Sequence, residues 1–476
     1  MSLRRLNRVA MTASLAALAG PVFATVPDHR LATTDGAALP LVWGLPFAGL
    51  LLSIAFVPLV APKFWHDHHG KVAASWALAL LLPFATAFGA SAAIHNVAHA
   101  MLLEYVPFLA ILFALFTISG GVCLRGALAG TPAVNTGLLA LGAVLASVMG
   151  TTGASMLLIR PLLTANETRP HKVHTVVFFI VLVGNVGGAL SPLGDPPLFI
   201  GFLKGVDFFW TTRALALPTL LIGASLLALF FVLDSLLYRK EAPQAAARRV
   251  DAQLALEGTA NFLLLGGVIA AVLMSGLWHS GVHFALAGID VELQDVVRDV
   301  ALILLGLTSL AITPTAVREH NQFHWAPIVE VAKLFAAIFV TIFPVLAILE
   351  AGRTGALAGV LELVADGAGN PRNTMVYWLT GLLSAFLDNA PTYLVFFNLA
   401  GGDPRTLMGV HAQTLAAISM GAVYFGALTY IGNAPNFMIK AIAEDRGVAM
   451  PSFFAYLAYA AILLLPLLAV VAAVWF

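Results

Sequence analysis

GALSPLGDPPLF, residues 188–199, returns as GALTYIGNAPNF, residues 426–437, at an offset of 238. Six of the twelve positions are identical, and Ser191/Thr429, Leu193/Ile431 and Asp195/Asn433 are conservative exchanges. Both copies lie inside apolar stretches, yet each is full of helix breakers and small polar groups. Asp195 suits an N-cap, and Pro196 suits the first helical position, where no N–H is missed. Gly194 permits the sharp break before them. Gly432, Asn433 and Pro435 repeat the arrangement. Each copy therefore splits a helix into two half-helices with free backbone groups between them.

Composition says what surrounds these breaks. Of 476 residues, 60% are hydrophobic and 10% charged, against roughly 25% charged in a soluble domain. Several apolar runs approach the ~20 residues that cross a bilayer. The chain reads as an all-α polytopic membrane protein. Its net charge is zero, which gives no reason to expect a nucleic-acid partner. The lone Cys123 excludes an intrachain disulfide and reads as a small buried hydrophobe. Residues 1–25 combine Arg4, Arg5 and Arg8 with a short apolar stretch and a small-x-small ending, a signal peptide or an uncleaved signal anchor.

Apolar runs and polar flanks predict spans at about 41–61, 72–94, 105–125, 174–203, 212–238, 261–280, 299–313, 328–350, 411–440 and 452–476. The stretches 133–163 and 375–400 carry polar breaks near their middles, Gly150-Thr151-Thr152-Gly153 and Asp388-Asn389-Ala390-Pro391, and read as re-entrant hairpins. A water-loving linker at 239–260 divides repeat 1 (26–238) from repeat 2 (261–476). With alternating loops, thirteen basic residues fall on one side and seven on the other. The richer side is cytoplasmic by the positive-inside rule, which puts residue 30 and the C-terminus outside, in the periplasm for a bacterial inner membrane.

SVMGTTGASML (147–157) lies against SAFLDNAPTYL (384–394) at an offset of 237, close to that of the opening pair. Two motifs keeping nearly one spacing across half the chain indicate duplication. Five spans and one hairpin per half put the second copy upside down. Such inverted repeats are a hallmark of secondary transporters, with the binding site at the repeat interface near the midplane. Irregular backbone at that depth is tolerated where protein buries it or where it lines a wet cavity. The hairpin tips add Thr151, Thr152 and Ser155 in one half and Asp388, Asn389 and Thr392 in the other. Hard oxygen ligands of this kind suit a small hard cation such as Na⁺.

NVGGALSPLGDPPLF and FLDNAP, with five spans and a hairpin per repeat, resemble the ion transporter superfamily. That group includes sodium/dicarboxylate and metal–citrate symporters, arsenite permeases and NhaD-type sodium/proton antiporters. The likeness is strongest to the NhaD-type branch, parts of which are described as citrate transporter-like. It covers residues 40–476. It implies a homodimer in the lipid bilayer, a scaffold, and a mobile domain that carries both hairpins and broken helices in an elevator-type movement. It also implies Na⁺ as transported substrate, with no cofactor, at two sites. One is Thr151 and Thr152 with Ser191 and Asp195; the other is Asp388 and Asn389 with Thr429 and Asn433. The Ser-Asn-Thr tips that hold a carboxylate in the symporters are Thr-Thr-Gly and Asp-Asn-Ala-Pro here.

Asp388 is an acid in the middle of an apolar hairpin, and an ionised carboxylate at that depth is expensive and usually functional; the bland alternative is a cap. Asp195 faces the same choice. A desolvated carboxylate binds protons more readily, so Na⁺ and H⁺ can compete for one group, and that suffices for exchange. Glu330 and Lys333, three apart, read as an interfacial pair. Asn185, Asn398 and Asn436 read as helix–helix hydrogen bonders. His66-Asp67-His68-His69 reads as solvated loop, and His95 with His99 lacks a third ligand for a metal. Sodium/proton antiport leads, sodium-coupled uptake of citrate or another carboxylate is the alternative, and the absence of H-E-x-x-H or G-x-S-x-G disfavours an intramembrane enzyme.

Overall fold

The computed structural model describes residues 35–126, 128–245, 255–286, 288–366 and 369–476, with side chains in 242–245 left aside. The leader expected at 1–25 and the centre of the linker lie outside them. Backbone groups in hydrocarbon must be satisfied within their own segment, and the chain answers with helices. In order these are α1 (Leu45–Val60), α2 (Pro62–Phe88), α3 (Ala90–Ala100) and α4 (Val106–Ser119), the last two joined by a π-turn at Met101–Tyr105. After α5 (Pro132–Met149) and α6 (Thr151–Ala165) come α7 (Val173–Leu182), α8 (Pro196–Leu203) and α9 (Trp210–Ala245). The second half holds α10 (Ala260–Leu277), α11 (Leu293–Ile312), α12 (Thr315–His320), α13 (Ala326–Glu350) and α14 (Ala358–Val364). It continues with α15 (Asn373–Leu387), α16 (Asn389–Leu399), α17 (Pro404–Met408), α18 (Ala412–Phe425), α19 (Ala434–Asp445) and α20 (Phe453–Trp475).

Nine helical segments among the described residues are long and apolar enough to cross a membrane, and the chain is an all-α polytopic membrane protein. The nine include the first hairpin limb, Pro132–Met149. They do not include the two expected spans at 299–313 and 411–440. The first of these belongs to α11, whose early turns hold Asp295, Arg298 and Asp299, with Arg298 bonded to both acids at 2.6 and 2.8 Å. The second is divided into α18 and α19, neither of full length.

Helix limits differ from hydropathy limits elsewhere too. The span expected at 72–94 starts at Pro62, a residue suited to the first helical turn. The quartet at 66–69, expected in a loop, is therefore helical, with Phe64 stacked on His68 at 4.9 Å. The span expected at 105–125 ends at Ser119. Beyond it β1 (Cys123–Arg125) pairs antiparallel with β2 (Ala255–Glu257) from the end of the linker, closed by an Arg125–Glu257 ion pair at 3.0 Å. Cys123 is buried, but on this strand rather than in a span. A second ribbon, β3 (His283–Leu286) and β4 (Ile289–Glu292), precedes α11.

The limbs of the first hairpin start and finish at one end of the molecule. Asn135 near the start of α5 and Asn166 just past α6 exchange amide hydrogen bonds of 2.9 and 2.8 Å. Arg169 follows, buried between Asp234 (2.6 Å) and Glu241 (2.8 Å) of α9. The second hairpin behaves alike: Val376 of α15 and Phe396 and Leu399 of α16 line one small cavity at its base. Hairpins and broken helices interlock across the halves of the chain, with α16 packed on α8 and α19 packed on α6. Opposite them α1 to α4 and α10 to α13 form a second group of helices.

Candidate functional site

Both hairpins turn at a residue with left-handed φ. Gly150 (φ 81°, ψ 152°) separates α5 from α6, and Asp388 (φ 77°, ψ 137°) separates α15 from α16. Glycine adopts this region freely; an aspartate there is strained. These two corners are 238 residues apart, so the hairpins share the register of the broken helices, and the offset of 237 from letters alone is corrected by one. The polar contacts keep the same register. Ser191 Oγ donates to the Ser147 carbonyl, and Thr429 Oγ1 donates to the Ala385 carbonyl at 2.5 Å. Each break is thereby pinned to the first limb of its own hairpin.

The breaks themselves are backbone against backbone. A Cβ on Gly194 would lie 2.1 Å from the Gly188 carbonyl oxygen, and one on Gly432 would lie 2.7 Å from that of Gly426. Glycine is required for close approach, not for φ. The first break closes further onto its hairpin, because the Thr151 N–H donates to the Gly194 carbonyl at 2.9 Å.

Asp195 stands at the N-cap position of α8, makes no side-chain bond to that helix, and is 1% exposed. Its Oδ1 accepts from Asn433 Nδ2 (2.9 Å) and Thr151 Oγ1 (3.3 Å), and its Oδ2 accepts from Asn389 Nδ2 (2.6 Å). One carboxylate thus meets both hairpin tips and the opposite break. The packing of α16 on α8 explains the reach: Asn389 opens α16 and Asp195 immediately precedes α8. All three partners are neutral. Asn433 Nδ2 in addition reaches the Gly184 carbonyl (3.1 Å) and Asn185 Oδ1 (3.2 Å). Asn185 donates to Asn436 Oδ1 at 2.7 Å, and Asn436 holds the carbonyls of Gly426 and Thr429.

The remaining expected site residues are placed as follows. Asp388 is half-buried and accepts from the Ala390 N–H at 3.2 Å, a cap on its own helix. Thr392 Oγ1 bonds back to the Asp388 carbonyl at 2.7 Å. Thr152 lines a cleft with Gly150, Thr151 and Asp195, walled by Phe108, Ile111 and Leu115 of α4. Ser155 is fully buried and its hydroxyl has no partner among the described residues; the same holds for Asn389 Oδ1. Thr151 and Asp195 meet as the resemblance implies, but Asn389 and Asn433 turn to Asp195 instead of to Asp388. Asn185 and Asn436 do bond across helices, whereas Asn398 bonds back to Leu394 within its own helix. Glu330 takes a hydrogen bond from the Trp65 indole at 3.3 Å.

Sequence reasoning passed over Asp234, an acid within an apolar run, which by itself signals a structural or functional partner. Its partners are Arg169, His174 at 2.9 Å and Asn135 at 2.9 Å, a buried network that fastens the base of the first hairpin. The sequence profile of a family described as "Putative citrate transport" matches residues 36–476, nearly the whole chain. No curated protein matches it.

Proposed function

The chain belongs to that family, and from this premise we propose that it is a secondary transporter, which exchanges Na⁺ for H⁺ across a bacterial inner membrane. One observation carries the reading. A buried carboxylate, Asp195, sits at the meeting point of two hairpin tips and two helix breaks, held only by neutral donors. Such a group, competed for by a proton or a small hard cation, is what exchange requires. The breaks and tips would form inverted repeats, each of five spans and a re-entrant hairpin. Hairpins and broken helices would move together past α1 to α4 and α10 to α13, as an elevator within a homodimer whose C-termini face the periplasm.

Coupled uptake of citrate is the second reading, favoured by the family's description. Half-helix N-termini can hold an anion through their free N–H groups. Here most of those groups are absent or taken. Residues Pro196 and Pro197 open α8 without an N–H, the Thr151 N–H is bonded to Gly194, and that of Ala390 to Asp388. Asp388 at one tip and Asp195 at the first break add repulsion for a multiply charged anion.

The test is proton movement in everted vesicles, followed with a pH-sensitive dye on addition of Na⁺, Li⁺ or citrate. Na⁺ should dissipate the pH gradient, citrate should not, and Asp195→Asn and Asp388→Asn should each abolish the Na⁺ response. Half-saturating Na⁺ should rise as the pH falls, because the proton competes for the same oxygens. A citrate-dependent signal that needs Na⁺ would put the second reading first.

A further inference from the structure

Two copies of one half-site predict two ions per chain. The hydrogen bonds argue for one. We infer that the ligands of the second half-site have been recruited to the first, so that the chain holds a single exchange centre at Asp195, with Asn389 as the side chain that admits the cation. The inference rests on the exchange reading and adds its stoichiometry.

In the second half-site the cap is Asn433, which is neutral, and the tip residue is Asn389. Both direct Nδ2 at the acid of the other half, at 2.9 and 2.6 Å. Asp388, which the second site would need as a ligand, is engaged with its own helix through Ala390 N–H, so its part in exchange is that of a proton-binding carboxylate and not of a ligand to a second ion. Thr429, its expected companion, is spent on the Ala385 carbonyl. No second ring of oxygens remains among these residues, whereas Asp195 gathers a hydroxyl and two amides.

The two amides are not equivalent. A cation against Asp195 would meet N–H groups, so an amide must rotate to present its oxygen. Rotation of Asn433 would break contacts to Asp195, the Gly184 carbonyl and Asn185 Oδ1 together. Rotation of Asn389 gives up only the bond to Asp195, and its Oδ1 is already buried without a partner. Asn389 can therefore turn from donor to ligand as the proton or the bare carboxylate gives way to the cation. Because Asn389 opens the second limb of hairpin 2 while Thr151 opens that of hairpin 1, one ion would tie both hairpins at once.

Equilibrium binding of radiolabelled Na⁺ to the purified full chain decides it, alongside the Na⁺ dependence of proton movement in proteoliposomes. One Na⁺ per chain and a Hill coefficient near one are expected. Asn389→Leu should weaken binding about tenfold or more without changing the wild-type melting temperature greatly, and Asn389→Asp, which keeps an oxygen toward the centre, should bind within a few-fold of wild type. Two Na⁺ per chain, or an Asn389→Leu chain that retains one Na⁺ at wild-type affinity, would overturn the single centre while leaving exchange intact. Equal losses in the Leu and Asp variants would overturn the ligand role of Asn389. A wild-type chain that binds no Na⁺ and moves no protons would remove the exchange reading, and this inference with it.

Discussion

Asp388 is one of two non-glycine residues with left-handed φ among the described residues, the other being Gln322 at 48°. Backbone strain of this kind costs about 1–3 kcal/mol, and the cap that Asp388 makes is worth about 1 kcal/mol. Its counterpart, Gly150, makes the same corner without strain. A residue kept where glycine would be easier is kept for its carboxylate. Asp388→Gly should therefore leave the melting temperature in detergent unchanged or a few degrees higher, while Na⁺-driven proton movement disappears. A glycine variant that exchanges at the wild-type rate would return Asp388 to a purely structural role. The sequence disclosed the acid, because charge is conspicuous in an apolar run. It did not disclose the strain, since φ is set by the corner and not by the letters.

The broken helices were legible in the sequence because the break is made by the residues themselves. Gly194 and Gly432 admit a neighbouring carbonyl, and the prolines that follow restart the helix without a missing donor. The hairpins were legible as elements but misaligned by one residue, because identity matched Leu387 with Gly150 whereas geometry matches Asp388 with it. Hydropathy located apolar stretches but not helix limits, so α2 begins well before the span expected there. The break also predicts an asymmetry between glycines. Gly194→Ala would force its methyl against the Gly188 carbonyl, and no flexible side chain is present there to yield. At Gly223, in the middle of α9, an added methyl would have nothing within 4 Å. Gly194→Ala should lower thermal stability sharply and abolish transport, whereas Gly223→Ala should gain roughly 0.5–1 kcal/mol from helix propensity. Similar melting curves for the two variants would show that the break is softer than its contacts imply.

At the scale of the whole molecule, the two groups of helices touch mainly through apolar side chains; besides a long bond from Ser119 Oγ to the Met149 carbonyl at 3.5 Å, two side-chain contacts join them at opposite ends. Lys204, closing α8, meets Glu104 of the π-turn at 2.6 Å. Arg160 of α6 reaches Gln322 at 3.2 Å and Asn321 at 3.4 Å, beside α12. Partners 100 and 161 or 162 residues apart leave no local pattern, which is why neither contact was visible in the sequence. If the hairpins and broken helices travel as one body, both contacts must break on the way, and each biases the molecule toward the arrangement seen here. Side chains at Lys204 and Glu104 are largely covered, so the pair is worth on the order of 1 kcal/mol, which is about fivefold in population. Spin labels at positions 172 and 324, in a Cys123→Ser background, report on the two bodies directly. Glu104→Gln and Arg160→Ala should each raise a second distance at the expense of the first, and the double variant should raise it further, since the contacts lie at separate ends and share no partner. One unchanged distance in all three variants would mean that the apolar interface alone holds the bodies together, and that neither contact serves as a latch.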